Sequence, residues 1–214
     1  MEVVLSNLGA FAGAMRTTAE LALASFAGAL LIGVLIAAFR VSPVAPLRVA
    51  GTFYVETFRN IPPLVLLVLF YFGFTKIGIL YSEFVSAVIV MAVYTGSFIA
   101  EAVRSGINTV ARGQAEAARA IGLTFPQSLI LVILPQALRA VVPAIGSLFS
   151  ALLRNVSLAS VIAVHELAWL SVRLIADTGR PFEILGGTAA AYLMMTLPTG
   201  YVFGVIERRT AIKR

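Results

Sequence analysis

Residues 114–139 read QAEAARAIGLTFPQSLILVILPQALR, and their reading decides the fold. Gln114 to Ile121 is rich in alanine and straight-chain residues, which favour helix. Gly122 stands where a left-handed C-terminal cap is wanted, because glycine takes positive φ without a Cβ clash. Thr124 then offers an N-cap, with Gln127 three residues on to close a capping box. Pro126 is tolerated in a first helical turn. Pro135 predicts the end, or a kink, of the second helix. The stretch therefore predicts a helix, a hard turn and a second helix, with Glu116 and Arg119 on the polar side. It is too structured for a linker and too polar to cross a bilayer. It reads either as an interfacial hairpin that only joins spans, or as a docking element for a soluble partner.

Outward from this elbow the chain is apolar. Of 214 residues 60% are hydrophobic and only 12% charged, and the mean hydropathy is +0.98. A water-soluble domain cannot hide that much apolar surface, so the solvent is lipid. The chain has no cysteine, which excludes disulfides, thiolate metal sites and thiol nucleophiles. The net charge of +6 is spread between apolar runs, which points to membrane orientation rather than nucleic acid. No cleavable signal peptide is expected, since Glu2 rather than a basic region precedes the first apolar stretch.

The expected fold is an all-α integral membrane protein, one transmembrane domain over 1–214. Residues 1–20 read as an amphipathic lead-in, with Arg16 and Glu20 one turn apart. Spans are expected at about 21–39, 49–74, 84–103, 137–160 and 184–206, each near the ~20 residues a bilayer core requires. The elbow, at about 112–135, separates the third from the fourth. The second span carries Glu56, Arg59 and Pro62-Pro63, so it should face protein or a wet cavity. Residues 161–182 hold His165, Glu166, Trp169, Arg173, Asp177 and Arg180 and read as an interfacial segment. Five spans put the termini on opposite sides. One side collects Arg40, Arg48, Arg104, Arg112, Arg119, Arg139, Arg208, Arg209, Lys213 and Arg214; the other has Arg16, Lys76, Arg173 and Arg180. Positive residues favour the cytoplasm, which predicts a multi-pass protein of the cell membrane. The N-terminus is then outside, and the elbow and C-terminus inside.

Little in the chain suggests chemistry. There is no G-x-x-x-x-G-K-[ST] run, so no P-loop nucleotide site. His165 has no ligand partners at metal spacing, and no catalytic triad, metal or cofactor is expected. What remains are polar groups inside spans, which are costly in lipid and mark an interior face or a solute path. Tyr94, Ser97 and Glu101 share one helix face at i, i+3, i+7. Ser147, Ser150, Arg154 and Ser157 share another, with Asn155 beside them. These groups either brace the bundle or line a path; the candidates for the path are Ser97, Glu101, Arg154, Asn155 and Ser157.

Glu116-Ala117-Ala118, Gly122 and Ile133-Leu134-Pro135 resemble the "EAA" coupling loop of ABC importer permeases. The runs ETFRNIPPLVLLVLFYFG (56–73), IAEAVRSGINTVARGQAEAARAIGL (99–123), ILPQALR (133–139) and LLRNVSLAS (152–160) resemble the subfamily that imports polar amino acids. The resemblance covers about residues 17–207. It implies the type I importer permease fold and a transport subunit rather than an enzyme. ABC ATPases would dock at Glu116, Ala117, Ala118, Arg119, Gly122, Ile133, Leu134 and Pro135. An identical or homologous permease would complete the pore, and an extracellular solute-binding protein would deliver the amino acid. The subfamily commonly has lysine-aspartate where this chain has Arg154-Asn155. Loss of that carboxylate disfavours cationic cargo and implies an acidic or neutral polar amino acid such as glutamate or glutamine. An ABC permease for another small solute, and a channel or secondary transporter working alone, remain the alternatives.

Overall fold

The computed structural model of the chain describes residues 2–210. Lys213 and Arg214, used above for orientation, and Met1 lie outside the described residues. A short helix α1 (Glu2–Ser6) leads into α2 (Leu8–Val41), a single helix of 34 residues. The expected lead-in and first span are thus one element. Nothing between Leu8 and Val41 breaks a helix, and the exposed Arg16–Glu20 pair, at 2.7 Å, supports the turn where the sequence is most polar. Helix α2 packs along α5 (Glu83–Thr109), and this pair is the spine of the bundle. Small residues let the two backbones approach. A Cβ on Gly33 would stand 2.5 Å from Ile99 Cγ2, so no larger residue fits there.

The expected second span is two helices, α3 (Ala45–Asn60) and α4 (Pro63–Lys76), bent by 102°. Ile61 is extended at the break, φ −97° and ψ 130°, as a residue before proline prefers. Proline also lacks the N–H that would continue the ladder.

The elbow begins with α6 (Arg112–Ala120) and α7 (Phe125–Ser128). Beyond it the chain was expected to stop or kink at Pro135. Instead a π-helical turn (Leu129–Ile133) runs directly into α8 (Leu134–Asn155). The Leu134 N–H reaches back five residues to the Leu129 carbonyl. That wider turn absorbs the donor missing at Pro135, which sits in the first turn of α8 and does not end it. A 3-10 turn (Val156–Ile162) closes this run. Ala163, at φ +64°, then reverses the chain into α9 (Leu167–Thr178), and α10 (Pro181–Thr210) completes the bundle. Among the described residues four helical runs are long and apolar enough to cross a membrane, or five if α3 and α4 together count as one.

Candidate functional site

The elbow is built by local rules. The Gly122 N–H bonds to the Arg119 carbonyl at 3.0 Å, and the Leu123 N–H to the Ala118 carbonyl at 3.1 Å. These two bonds, with Gly122 at φ +88°, form a complete Schellman turn. On the far side Gln127 Oε1 accepts from the Thr124 N–H and from its hydroxyl, both at 2.9 Å. Gln136 Nε2 approaches Gln114 Oε1 at 3.4 Å and ties the two arms. Ala118 is buried, while Glu116, Ala117 and Arg119 are exposed. Ile133 and Leu134 are half-buried and Pro135 is exposed. Ile121 is 78% exposed at the tip. Arg119 Nε donates to the Ala115 carbonyl at 3.3 Å. Glu116 makes no ion pair with any described residue. The elbow therefore presents an unpaired carboxylate, a guanidinium and an apolar tip on a rigid turn, a face suited to docking.

The structure separates the polar residues of the spans. Ser97 is fully buried and donates to the Tyr94 carbonyl of its own helix at 2.6 Å, and it lines neither of the two cavities described next. Glu101 is the hub of an ion cluster. It accepts from Arg40 Nη1 and, at 2.5 Å, from Arg104 Nη2, and Arg59 Nη1 lies 3.8 Å away. Arg154 is elsewhere: with Ser147 and Ser150 it lines a cavity of about 380 Å³ between α8 and α10, opposite Gly200, Phe203 and Gly204. Asn155 faces the other way, into a cavity of about 130 Å³ between α5 and α8, with Tyr94, Thr95 and Phe98. Ser157 donates to the Arg154 carbonyl at 2.7 Å and drops out of the Ser147–Ser150–Arg154 face. The chain tightens to three residues per turn from Val156, and that shifts the register. The five candidate path residues thus do not form one lining. Among the described residues no group of three potential ligands could hold a metal.

Two features escaped the sequence reading. The first is Arg40 and Arg59, which the fold brings to Glu101 from 61 and 42 positions away; no local pattern signals such a meeting. The second is Glu166, expected at an interface but 0% exposed. Its carboxylate caps α9, accepting from the Trp169 N–H at 2.8 Å and from the Tyr192 hydroxyl of α10 at 2.9 Å. Burial pushes this carboxyl above its ordinary range, partly offset by the N–H groups of Ala168 and Trp169 and by Tyr192. Thr18 of α2 reaches the same corner, its hydroxyl accepting from the Leu167 N–H at 3.2 Å. An acidic residue just before an apolar helical run is a start signal that would have found the cap, though not its burial. His165, by contrast, is exposed and stacks on Trp169, ring centroids 3.8 Å apart.

The family of binding-protein-dependent transport system inner membrane components matches residues 29–211. The probable glutamine ABC transporter permease protein GlnM of Bacillus subtilis is 34% identical, over 98% of this chain and 97% of its own. The glutamate transport system permease protein GluC of Corynebacterium glutamicum is 37% identical over all of both chains. A chain from the crystal structure of an amino acid ABC transporter with histidines is 31% identical, with a TM-score of 0.87 over 96% of each chain. An apolar helical bundle interrupted by one rigid, exposed elbow, matched along nearly its whole length, places this chain in the family of inner membrane components of binding-protein-dependent transport systems.

Proposed function

We propose that two such subunits, alike or homologous, surround one translocation path for an acidic or neutral polar amino acid, with glutamate and glutamine as the leading cargoes. The chain is a transport subunit; ATP is hydrolysed by a partner ATPase. The observation that carries the reading is the elbow, with unpaired Glu116, Arg119 and Ile121 on a turn locked by Gly122. ATPase subunits dock there, in the cytoplasm, through Glu116 to Gly122 and Ile133-Leu134-Pro135. ATP binding draws the ATPase pair together, the elbow moves as a rigid body, and the spans rock between two states of access. The energy enters as the difference in ATPase affinity for those states, not as chemistry on this chain. An extracellular binding protein delivers the cargo. The names and full-length similarity of GlnM and GluC support the cargo class.

Uptake by proteoliposomes holding the permease, its ATPase and its binding protein tests the reading. ATP-dependent accumulation of labelled glutamate or glutamine is expected. Transport without ATPase, or of neither amino acid, refutes it. Orientation is tested separately, because the chain has no cysteine of its own. Cysteines at exposed Ala117 and Asp177 should react with an impermeant thiol reagent from opposite sides of the membrane.

A further inference from the structure

A cavity of about 430 Å³ lies between the second arm of the elbow and the corner that joins α2 to α3. Phe39, Val44 and Leu47 form one wall; Phe125, Leu129 and Ile130 form the other. Helix α7 packs mainly on α6 and on the π turn, which leaves this gap beside it. The cavity is open to the outside, since Val44 and Ile130 are 49% and 60% exposed. Ser42 supplies the one hydroxyl among the described residues of the wall, and that oxygen already accepts from the Val44 N–H at 3.1 Å. A cavity so apolar holds no ordered water, and an apolar occupant stabilises it. A partner's helix, about 10 Å across, needs roughly twice this volume for two turns. A flexible hydrocarbon chain is thin enough to enter.

The level of the cavity in the membrane follows from the sequence. No charged residue occurs between Glu20 and Arg40, a run close to the ~20 residues that a bilayer core requires. Phe39 therefore stands at the end of the hydrocarbon layer, and Pro43 to Arg48 at the level of the lipid headgroups.

Arg48 stands at that level, on the edge of the cavity. Its Nη1 donates to the carbonyls of Ser42 and Pro43, both at 2.8 Å, and both of those residues line the cavity. The two bonds fix the guanidinium beside the mouth and use only Nη1. Nε and Nη2 bond to no described residue, and the exposed Arg48 forms no ion pair among the described residues. Arg40, by contrast, is committed to Glu101. The free edge of a guanidinium fork matches two oxygens of a phosphate.

We propose that this corner is a binding site for one anionic phospholipid, its acyl chain in the cavity between Phe39 and Ile130 and its phosphate on Arg48. Basic pockets between membrane helices recognise lipid headgroups in this way. The site lies apart from the translocation path and holds for whichever cargo is moved. Its occupant bridges the elbow and the α2–α3 corner.

The test uses phosphatidylglycerol with a photoactivatable acyl chain, in phosphatidylcholine nanodiscs that hold the permease with its ATPase. Peptide mass spectrometry should place the crosslink on residues 38–47 and 125–130. Equal amounts of a phosphatidylcholine probe should label these segments about fivefold less, the scale of one arginine near a membrane surface. Arg48→Gln should erase that preference and leave labelling by phosphatidylcholine unchanged. Val44→Trp, which fills the mouth, should remove labelling by both probes. Glycerol 3-phosphate, which has no acyl chain, should not compete. The unaltered complex decides the preference by itself, so a variant that fails to assemble does not remove the test. No crosslink in either segment overturns the proposal and leaves the cavity to the ATPase or to a second permease copy. Equal labelling by the two probes, or a preference that survives in Arg48→Gln, overturns it and leaves only unselective lipid contact. Competition by glycerol 3-phosphate overturns it in favour of a simple anion site. None of these results bears on the transport reading, which the uptake assay decides separately.

Discussion

Glu101 and Glu166 are both carboxylates held among apolar helices, and the fold treats them in opposite ways. Glu101 is surrounded by full charges from Arg40, Arg59 and Arg104. Glu166 is met by dipoles alone, the Trp169 N–H and the Tyr192 hydroxyl. The first arrangement surrounds the carboxylate with full positive charges in excess of its own. The second raises the carboxyl's proton affinity and leaves nothing over. A cap satisfied in this way braces the helices it joins. Here Glu166 joins α9 to α10, and Thr18, through the Leu167 N–H beside it, joins both to α2.

Removing the charge of Glu101 breaks this contrast most severely. Glu101→Gln leaves three guanidiniums facing each other with no counter-charge, a loss of about 3–5 kcal/mol for a pair broken from one side. The variant should purify poorly or melt far below the unaltered complex in a detergent thermal scan. A melting curve like the parent's would show that the arginines find other partners and that Glu101 is not their hub.

At Glu166 the outcome depends on whether an acceptor remains. Glu166→Ala strands the Trp169 N–H and the Tyr192 hydroxyl and should cost about 2–3 kcal/mol. Glu166→Gln keeps an acceptor oxygen and should melt close to the parent at neutral pH. Equal destabilisation by the two changes would mean that the charge, not the hydrogen bonding, matters, and the contrast with Glu101 would fail.

A pH series sharpens the same point. Because the folded-state value of Glu166 is raised, its contribution to stability is fully present below the unfolded glutamate value of about 4.3. It is lost as pH rises through the folded value. The melting temperature of the parent should therefore climb as pH is lowered through the raised folded value toward the unfolded one, and Glu166→Gln should flatten that slope. A slope that survives in the glutamine variant assigns the effect to another group.

The smallest effect is expected at Thr18. Thr18→Val keeps the volume but removes the acceptor of the Leu167 N–H, for a loss of about 1 kcal/mol. Added to Glu166→Gln it should act more than additively, because both changes weaken the start of α9. Strict additivity would separate the two contacts.

The elbow was legible without a structure because it obeys rules with a range of a few residues. Gly122 at a left-handed position, Thr124 with Gln127, and the alanine-rich run before them each act within one or two turns. The apolar runs were legible for the same reason, since hydropathy is a local sum. Their joints were less so: Pro135 has the same local signature whether a helix ends there or a π turn carries it through. The candidate path was legible least. Helical periodicity put Ser147, Ser150 and Arg154 on one face, but it could not say that Asn155 belongs to a different cavity, or that Ser97 is closed off inside the bundle.

By itself, then, the sequence determined that this chain lives in lipid, folds as apolar helices and interrupts them once with a rigid polar turn. Only the tertiary structure decided which charges meet. Arg40, Arg59 and Glu101 are joined by helix crossings set by Gly33, by the Pro62 bend and by the packing of α2 on α5. Such contacts depend on the relative placement of whole helices, which side-chain packing over dozens of residues settles together, and no short window of sequence contains that information.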